Sequence, residues 1–167
     1  MAEIYISLGS NINRQYHVEK GLNALAELFG SLSLSSLFES EAVGFAGKPF
    51  YNMVIGTMTE RSLAEVAQAL RDIEYANGRS KDAKKFSPRT LDLDLLLYDD
   101  VIAKQPAQIP RDEITKNAFV LWPLAEIAGE LVHPVIGESY QVLWQEYDKN
   151  QQQLNKVPLM WSEKIGT

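Results

Sequence analysis

Residues 88–98 read PRTLDLDLLLY, and this stretch decides the fold around it. The alternation of aspartate with leucine predicts a strand over Thr90–Tyr98 in which Asp92 and Asp94 share one face, with Cα atoms about 6.6 Å apart. The three consecutive leucines at 95–97 predict that this end of the strand is covered on both faces. Aspartates are depleted in strands and costly when buried without a partner, so the pair requires cations.

Two carboxylates at this spacing suit magnesium. Hard oxygen ligands select Mg²⁺, which keeps several waters and completes its shell with substrate phosphates. Such a pair can hold two ions about 3.5–4 Å apart around a phosphoryl group undergoing in-line displacement. An exposed edge strand whose aspartates only discourage aggregation is the structural alternative. A DxD pattern also occurs in sugar-nucleotide transferases and palm-type polymerases.

A basic run lies directly before this strand. The chain has a net charge of −6, yet residues 79–89 carry one acid, Asp82, against five basic residues: Arg79, Lys81, Lys84, Lys85 and Arg89. This local reversal of charge indicates a small anionic ligand, while a solvated basic loop is the alternative. The acidic balance of the whole chain argues against nucleic acid or anionic lipid as a partner.

Strand and helix patterns alternate along the rest of the chain. A first strand ends at the Gly9-Ser10-Asn11 turn, and Ser62 and Glu65 form a capping-box pattern for a helix that ends at Asn77-Gly78. A helix with an apolar stripe at Val18, Leu22, Leu25 and Phe29 is predicted to end at Gly30, and strands are predicted over Ser31–Phe38 and Tyr51–Thr59. A short helix is predicted to begin near Pro123. An amphipathic segment over Tyr140–Asp148, with Val142, Leu143 and Tyr147 inward, and a loose tail from Gln151 follow. These elements predict one α+β domain over residues 1–167, with helices packed on a sheet that contains hairpins.

Several functional classes are excluded by what the chain lacks. It has no cysteine, so disulfides, thiolate metal sites and cysteine nucleophiles are absent. No Walker A pattern or protein-kinase motif set occurs. The first residues lack the pattern of a secretory signal, and no apolar run reaches the roughly 18 residues of a membrane span, so we expect a cytoplasmic protein with no membrane contact. The two histidines and three tryptophans are expected to be structural or surface residues.

Five blocks together resemble the 6-hydroxymethyl-7,8-dihydropterin pyrophosphokinase family of folate biosynthesis. They are GSN (9–11), FYN (50–52), Ile73-Glu74 followed by Gly78-Arg79, PRTLDLDLLLY (88–98) and AFVLWPLAEIAGELVHP (118–134), and the match runs from residue 3 to about 148. The resemblance implies a ferredoxin-like fold of α/β/α layers, with a mainly antiparallel sheet. It also implies transfer of pyrophosphate from ATP to the pterin hydroxymethyl group, which gives AMP.

The resemblance further implies a role for individual residues. Asp92 and Asp94 correspond to the ligands of two Mg²⁺ ions that bind with ATP, and Arg79 and Arg89 to catalytic triphosphate contacts. The ATP site would comprise Glu74, Arg79, Lys81, Lys84, Arg89 and Arg111. The pterin site would comprise Val43, Gly44, Phe50, Asn52, Asp92 and Phe119. Aromatic faces and an amide are chemically suited to a flat heterocycle with an amide-like edge. No general base is evident, and we expect a monomer with neighbouring folate enzymes as candidate partners.

The chain departs from the family pattern around the nucleotide. Arg111 stands where a histidine is usual, Asn117 replaces a usual arginine, and Lys81 keeps a charge but lacks the bidentate fork of arginine. Other departures are Asp112 for an aromatic residue or proline, Phe86 for a tryptophan, and Ser40-Glu41 for threonine-proline. These changes leave open an alternative function: a pterin- or nucleotide-binding paralogue with weak or lost transferase activity, or with an altered pterin preference.

Overall fold

A central strand, β1 (Ala2–Ser10), organises the sheet. The structure is a computed structural model that describes residues 1–40, 49–78, 90–150 and 152–161. Its strands lie in the order β5-β1-β4-β3-β6 with every pair antiparallel, and β2 pairs separately with β4. The other strands are β2 (Ser33–Leu34), β3 (Leu37–Ser40), β4 (Phe50–Thr59), β5 (Asp92–Tyr98) and β6 (Leu154–Val157).

Four α-helices cover the two faces of this sheet. They are α1 (Arg14–Phe29), α2 (Leu63–Ala76), α3 (Ala118–Ala128) and α4 (Tyr140–Glu146), and a short 3₁₀ helix (Asp112–Thr115) precedes α3. The order of elements and the antiparallel pairing confirm the predicted ferredoxin-like α+β fold.

Strand alternation divides the core into two clusters. Ile4, Ile6 and Leu8 of β1 point to the face covered by α1 and α2, where all three are fully buried. Tyr5 of β1 and Val54 of β4 point to the opposite face and pack against α3 and α4. Side chains two residues apart in a strand share a face, so Asn52 lies on the same face as Val54. The polar site described below is therefore on the α3 side of the sheet.

Both predicted early helices are confirmed. The Ser62 side chain accepts from Glu65 N–H and the Glu65 side chain accepts from Ser62 N–H, so the capping box of α2 is complete. Helix α1 ends at Gly30, whose φ of 88° is readily adopted by glycine and whose N–H donates to the Ala26 carbonyl.

The prediction that a helix begins near Pro123 is wrong. Helix α3 begins at Ala118, and Pro123 lies inside it. Proline removes one helical hydrogen bond there. The helix persists because Val120, Leu121 and Leu124 are buried against the sheet, and tertiary packing outweighs this local cost.

Other boundaries shift by a few residues. The strand expected over Ser31–Phe38 is two short strands, because Ser35 interrupts the pairing and its hydroxyl accepts from Val54 N–H at 2.9 Å. Strand β5 starts two residues later than predicted. The last helix ends at Glu146 instead of Asp148.

The inward side of α4 and the C-terminal segment also differ in part from expectation. Leu143 and Tyr147 pack against the core as predicted, whereas Val142 does not join them. The segment expected to be a loose tail contains β6, which pairs with β3. Trp161 Nε1 then donates to Asn23 Oδ1 at 2.8 Å, which holds this part of the segment against α1. No helix in the described ranges is long and apolar enough to cross a membrane.

Candidate active site

Asn52 and Asp92, two of the predicted pterin residues, lie in one row across the sheet. Gly9 of β1 is the register partner of Asn52 on β4 and of Asp92 on β5. Directly opposed residues of antiparallel strands point to the same face, so Asn52 and Asp92 flank Gly9 on the α3 side. Strand spacing puts their backbones about 10 Å apart. The next register pair, Ser7 with Asp94, places the second carboxylate beside this row.

Gly9 is a buried position without a side chain between the two flanking residues. A Cβ atom at this position would lie 3.0 Å from Asn52 Oδ1 and 3.8 Å from a ring carbon of Phe50. The sequence placed Gly9 in the turn after the first strand and in a block of the resemblance, and gave it no function in the site. The available signal was a glycine at the end of an otherwise bulky strand, which often marks the close approach of a ligand.

The Asn52 amide is held in a defined orientation. Its Nδ2 donates to Ser40 Oγ at 2.8 Å, and both residues are buried. The Oδ1 atom consequently faces the space above Gly9. Phe50 is half-buried at the start of β4, and Phe119 is half-buried in the first turn of α3, packed against the same apolar cluster as Val54.

The carboxylate pair has little positive charge close to it among the described residues. Asp94 is one-quarter exposed, and the nearest cation among the described residues is Arg111, whose Nη2 lies 3.4 Å from Asp94 Oδ1. Burial, the largest cause, and the negative charge of Asp92 together raise the pKa of Asp94 to about 8, and Arg111 opposes the change. The structure therefore contains a carboxylate pair that an added cation would stabilise.

Glu74 is buried and contacts the strand that carries Asp92 and Asp94. It is buried near the end of α2, and its Oε2 accepts from Leu93 N–H at 2.8 Å. Leu93 is the residue between the two aspartates, so Glu74 fixes the backbone that carries both carboxylates. This contact shows a positioning function for a residue that the sequence analysis assigned to the nucleotide.

Arg111 and Asn117 belong to a polar network that leads away from the carboxylates. Arg111 Nη2 also contacts Glu113 Oε1 at 3.2 Å, and Asn117 Nδ2 donates to Glu113 Oε2 at 3.4 Å. Asn117 Oδ1 in turn accepts from Gln152 Nε2 at 3.0 Å, and Gln152 Oε1 accepts from Ala118 N–H at 2.8 Å. Where the resemblance leads one to expect an arginine, Asn117 thus links the start of α3 to the C-terminal segment.

Six of the predicted site residues lie outside the described ranges. They are Val43, Gly44, Arg79, Lys81, Lys84 and Arg89. Within the described ranges, no group of three or more histidine, aspartate or glutamate side chains is arranged to hold a metal. Asp92 and Asp94 thus form a two-carboxylate donor set, which suits a Mg²⁺ ion that takes its remaining ligands from water and substrate.

A separate cavity of about 730 Å³ lies at the other end of the α3 face. Its lining includes Glu3 and Tyr5 near the start of β1 and Trp122 and Trp144 from α3 and α4. None of the predicted site residues in the described ranges lines it. The described site residues therefore lie away from this cavity.

Comparison with known proteins finds a matching family and several similar chains. A family model described as 7,8-dihydro-6-hydroxymethylpterin-pyrophosphokinase (HPPK) matches residues 5–129. The chain is 33% identical over 138 residues to 2-amino-4-hydroxy-6-hydroxymethyldihydropteridine pyrophosphokinase of Aquifex aeolicus, covering 81% of this chain and 86% of that protein. It is 36% identical over 141 residues to the protein of the same name from Haemophilus influenzae, covering 80% and 86%.

Longer proteins contain a similar region. The structure is similar to that of a Plasmodium falciparum HPPK-DHPS chain crystallised with pteroate, with a TM-score of 0.71 and 13% sequence identity. The match covers 90% of this chain and 44% of that chain, and it supports the fold. It spans 19% of the folic acid synthesis protein fol1 of Pneumocystis carinii, at 36% identity over 142 residues. The match over residues 5–129 and the similarity to two bacterial proteins of comparable length show that the chain belongs to the 7,8-dihydro-6-hydroxymethylpterin-pyrophosphokinase family.

Proposed function

We propose that the protein transfers the pyrophosphoryl group of ATP to the hydroxymethyl oxygen of 6-hydroxymethyl-7,8-dihydropterin. The new bond joins this oxygen to the β-phosphorus of ATP, the bond between the β-phosphorus and the α,β-bridging oxygen breaks, and AMP leaves with that oxygen. The hydroxyl proton is released. The observation that carries this proposal is the row Asn52–Gly9–Asp92, which puts an amide, a position without a side chain and a carboxylate side by side on one face.

The pterin would lie over Gly9. A flat bicyclic ring fits a floor that has no side chain, and Asn52 Oδ1 is available to accept a hydrogen bond from the amide-like edge of the ring. Phe50 and Phe119 are half-buried and can offer ring faces for stacking. At the other end of the row, the hydroxymethyl group would lie towards Asp92 and Asp94, where the reaction takes place.

Asp92 and Asp94 would hold Mg²⁺ together with the ATP phosphates. The proximity of the two carboxylates and the raised pKa of Asp94 support binding of an added cation here. When bound, Mg²⁺ neutralises charge that builds up on the transferring phosphoryl oxygens. Glu74 holds the strand that bears both aspartates, so the donor oxygens are placed before the substrates bind.

The nucleotide phosphates would meet the basic residues of the chain. Arg111 is the described cation nearest to the carboxylates, and Arg79, Lys81, Lys84 and Arg89 are sequence-based assignments to the same group. Positive side chains stabilise phosphoryl transfer by matching the charge of the transferring group. The departures at Arg111 and Asn117 would change how strongly the nucleotide phosphates are bound. The two carboxylates and the row Asn52–Gly9–Asp92 would remain.

AMP formation from ATP and Mg²⁺, with and without the pterin, tests this function. We expect AMP to form only when 6-hydroxymethyl-7,8-dihydropterin is present, together with an equal amount of the pterin diphosphate. Chelation of divalent cations should stop the reaction, and added Mg²⁺ should restore it. Pterin binding without AMP formation would contradict the proposal and favour a binding protein that has lost the transferase reaction.

A further inference from the structure

Arg111 is fixed next to the carboxylates by its backbone. Its N–H donates to the Leu96 carbonyl at 3.0 Å, which ties the segment before the 3₁₀ helix to β5 two residues beyond Asp94. The guanidinium then reaches both Asp94 and Glu113 through the same nitrogen, Nη2. Arg111 is therefore a built-in cation of this site, placed there by the fold.

The contacts of Arg111 are loose for a partly buried arginine. Its two ion-pair distances are 3.4 and 3.2 Å, longer than the roughly 2.7–2.9 Å of a strong charge-assisted hydrogen bond. The Arg14–Glu39 pair of the same molecule reaches 2.7 Å. In addition, Arg111 Nε is buried and has no hydrogen-bond partner among the described residues. A buried donor of this kind calls for an acceptor that the described protein atoms do not supply.

Among the described residues, the negative charge around Arg111 exceeds what one guanidinium can balance. Asp92, Asp94 and Glu113 all act on Arg111, and Glu74 adds to the field at Asp94. Electrostatics therefore favour a further cation at the carboxylates, while Arg111 keeps a planar set of donors suited to a phosphate group.

We infer that Arg111 is an exchangeable counter-ion: it pairs with Asp94 in the metal-free protein and passes to a nucleotide phosphate when a divalent cation binds the carboxylates. This inference rests on the proposed function, in which Asp94 is a metal ligand. It explains the orphaned Nε, because an Nε–H and an Nη–H of one guanidinium can donate together to a phosphate.

The exchange makes metal and nucleotide binding depend on each other. A divalent cation that binds alone must separate Arg111 from Asp94 and leave the guanidinium without its partner. A cation that arrives with a nucleotide brings phosphate oxygens that accept from Arg111. Each ligand therefore strengthens the binding of the other, and Arg111 carries part of this coupling.

Manganese binding to the full chain tests the exchange without relying on turnover. Free Mn²⁺ is measured by electron paramagnetic resonance with wild type and Arg111→Ala, first alone and then with α,β-methylene-ATP, whose α,β-bond cannot be cleaved by transfer. Without nucleotide, we expect Arg111→Ala to bind Mn²⁺ about 10-fold more tightly than wild type, because the competing cation is gone. With nucleotide this advantage should disappear, and the affinity for the analogue should fall about 10-fold.

Lys116→Ala is the matched control for a general change of charge. Lys116 lies on the same segment and pairs with the exposed Asp112, so its removal changes the net charge equally while the Asp94 contact is retained. We expect less than about a twofold change in Mn²⁺ affinity, as for a screened surface charge. Circular dichroism checks that each variant is folded.

The outcomes separate this inference from the proposed function. Unchanged or weaker Mn²⁺ binding by Arg111→Ala would overturn the exchange, and so would an equal gain in Lys116→Ala. Either result, with Mn²⁺ still bound in the presence of the analogue, would leave the metal assignment intact. If wild type binds no Mn²⁺ even with the analogue, the metal assignment itself is wrong and the exchange fails with it.

Discussion

Asp94 and Glu126 are carboxylates on the same side of the sheet with opposite surroundings. Their side chains are similarly exposed, at 25% and 21%. Glu126 accepts from Ser36 N–H at 2.7 Å and Ser36 Oγ at 2.9 Å and pairs with Lys156 at 3.1 Å. Among the described residues, Asp94 has one cation, Arg111, at 3.4 Å, and other carboxylates nearby.

The comparison shows that exposure alone does not distinguish a structural carboxylate from one proposed to bind a ligand. The donors of Glu126 are Ser36, directly before β3, and Lys156 of β6, so this side chain joins α3 to the edge of the sheet. The described residues around Asp94 do not balance its charge, and such a position is stabilised by a bound partner. Stability and activity should therefore respond in opposite ways at the two residues.

The largest effect is expected for Asp94→Asn. We expect kcat to fall by roughly 10³-fold at saturating ATP and Mg²⁺, since a metal ligand supports several kcal/mol of transition-state stabilisation. The melting temperature should stay the same or rise. The raised pKa means that the folded state disfavours the charged carboxylate at neutral pH, and the amide removes that charge. Asp100→Asn, in the exposed turn after β5, is the matched control for both measurements.

Retained turnover in Asp94→Asn would remove the distinction between the two carboxylates. Activity within tenfold of wild type would mean that Asp94 is not a metal ligand. A large loss of stability would mean that Asp94 has a structural function similar to that of Glu126.

Gly9→Ala sharpens the comparison by altering the floor next to Asp92. The added methyl group would sit 3.0 Å from Asn52 Oδ1, so the amide must move and the space for the ring is reduced. We expect pterin affinity to fall about 10- to 100-fold, as for a methyl-sized obstruction, with nucleotide affinity unchanged. Isothermal titration of each ligand against the same variant measures both.

A double-mutant cycle identifies the cause of that loss. If the methyl group acts by displacing the amide, Gly9→Ala should add little to the loss already caused by Asn52→Ala. Equal losses of pterin and nucleotide binding would show a general disturbance of the sheet and would contradict the assignment of Gly9 as the pterin floor.

Glu126→Ala tests the structural side of the comparison. The change leaves Ser36 N–H and Lys156 without their acceptor, so we expect the free energy of unfolding to fall by about 1–2 kcal/mol. Activity should stay within twofold of wild type. Denaturant unfolding with Glu130→Ala, an exposed glutamate two residues beyond α3, as control measures the difference. A loss of activity without a loss of stability would place Glu126 in the functional site instead.

The parts of the site that could be predicted are those encoded by local spacing. The period of two in β5 placed Asp92 and Asp94 on one face, and the capping box located α2. The row through Gly9 depends on a register between strands more than 40 residues apart in sequence, which local patterns do not contain. The Arg111–Asp94 contact likewise depends on how the segment after β5 folds back onto Leu96.

The error at Pro123 has a different origin. The rule that proline begins or ends a helix reflects the local cost of proline inside a helix. It does not include the free energy gained when α3 packs against the sheet. Buried leucines and valine on both sides of the proline overrule that cost. A uniformly apolar segment was therefore a stronger signal for a continuous helix than the proline was against it.

His133 resembles Glu126 in that backbone N–H groups donate hydrogen bonds to its side chain. Its Nδ1 accepts from Val135 N–H at 3.2 Å and Ile136 N–H at 3.1 Å, and burial lowers the pKa of the imidazole. The fold therefore prefers the neutral ring. The contribution of neutral His133 to the free energy of unfolding is complete above the ordinary histidine pKa of about 6.5 and is lost as pH falls through and below that value.

His133→Asn should consequently flatten the dependence of melting temperature on pH between pH 7.5 and 5.5. The Asn side-chain oxygen can accept from the same N–H groups at every pH in this range, and the residue does not titrate. This effect should be the smallest of the four, because it arises from one group in a surface turn. If His133→Asn keeps the wild-type slope, the pH dependence does not come from the satisfied ring nitrogen of His133.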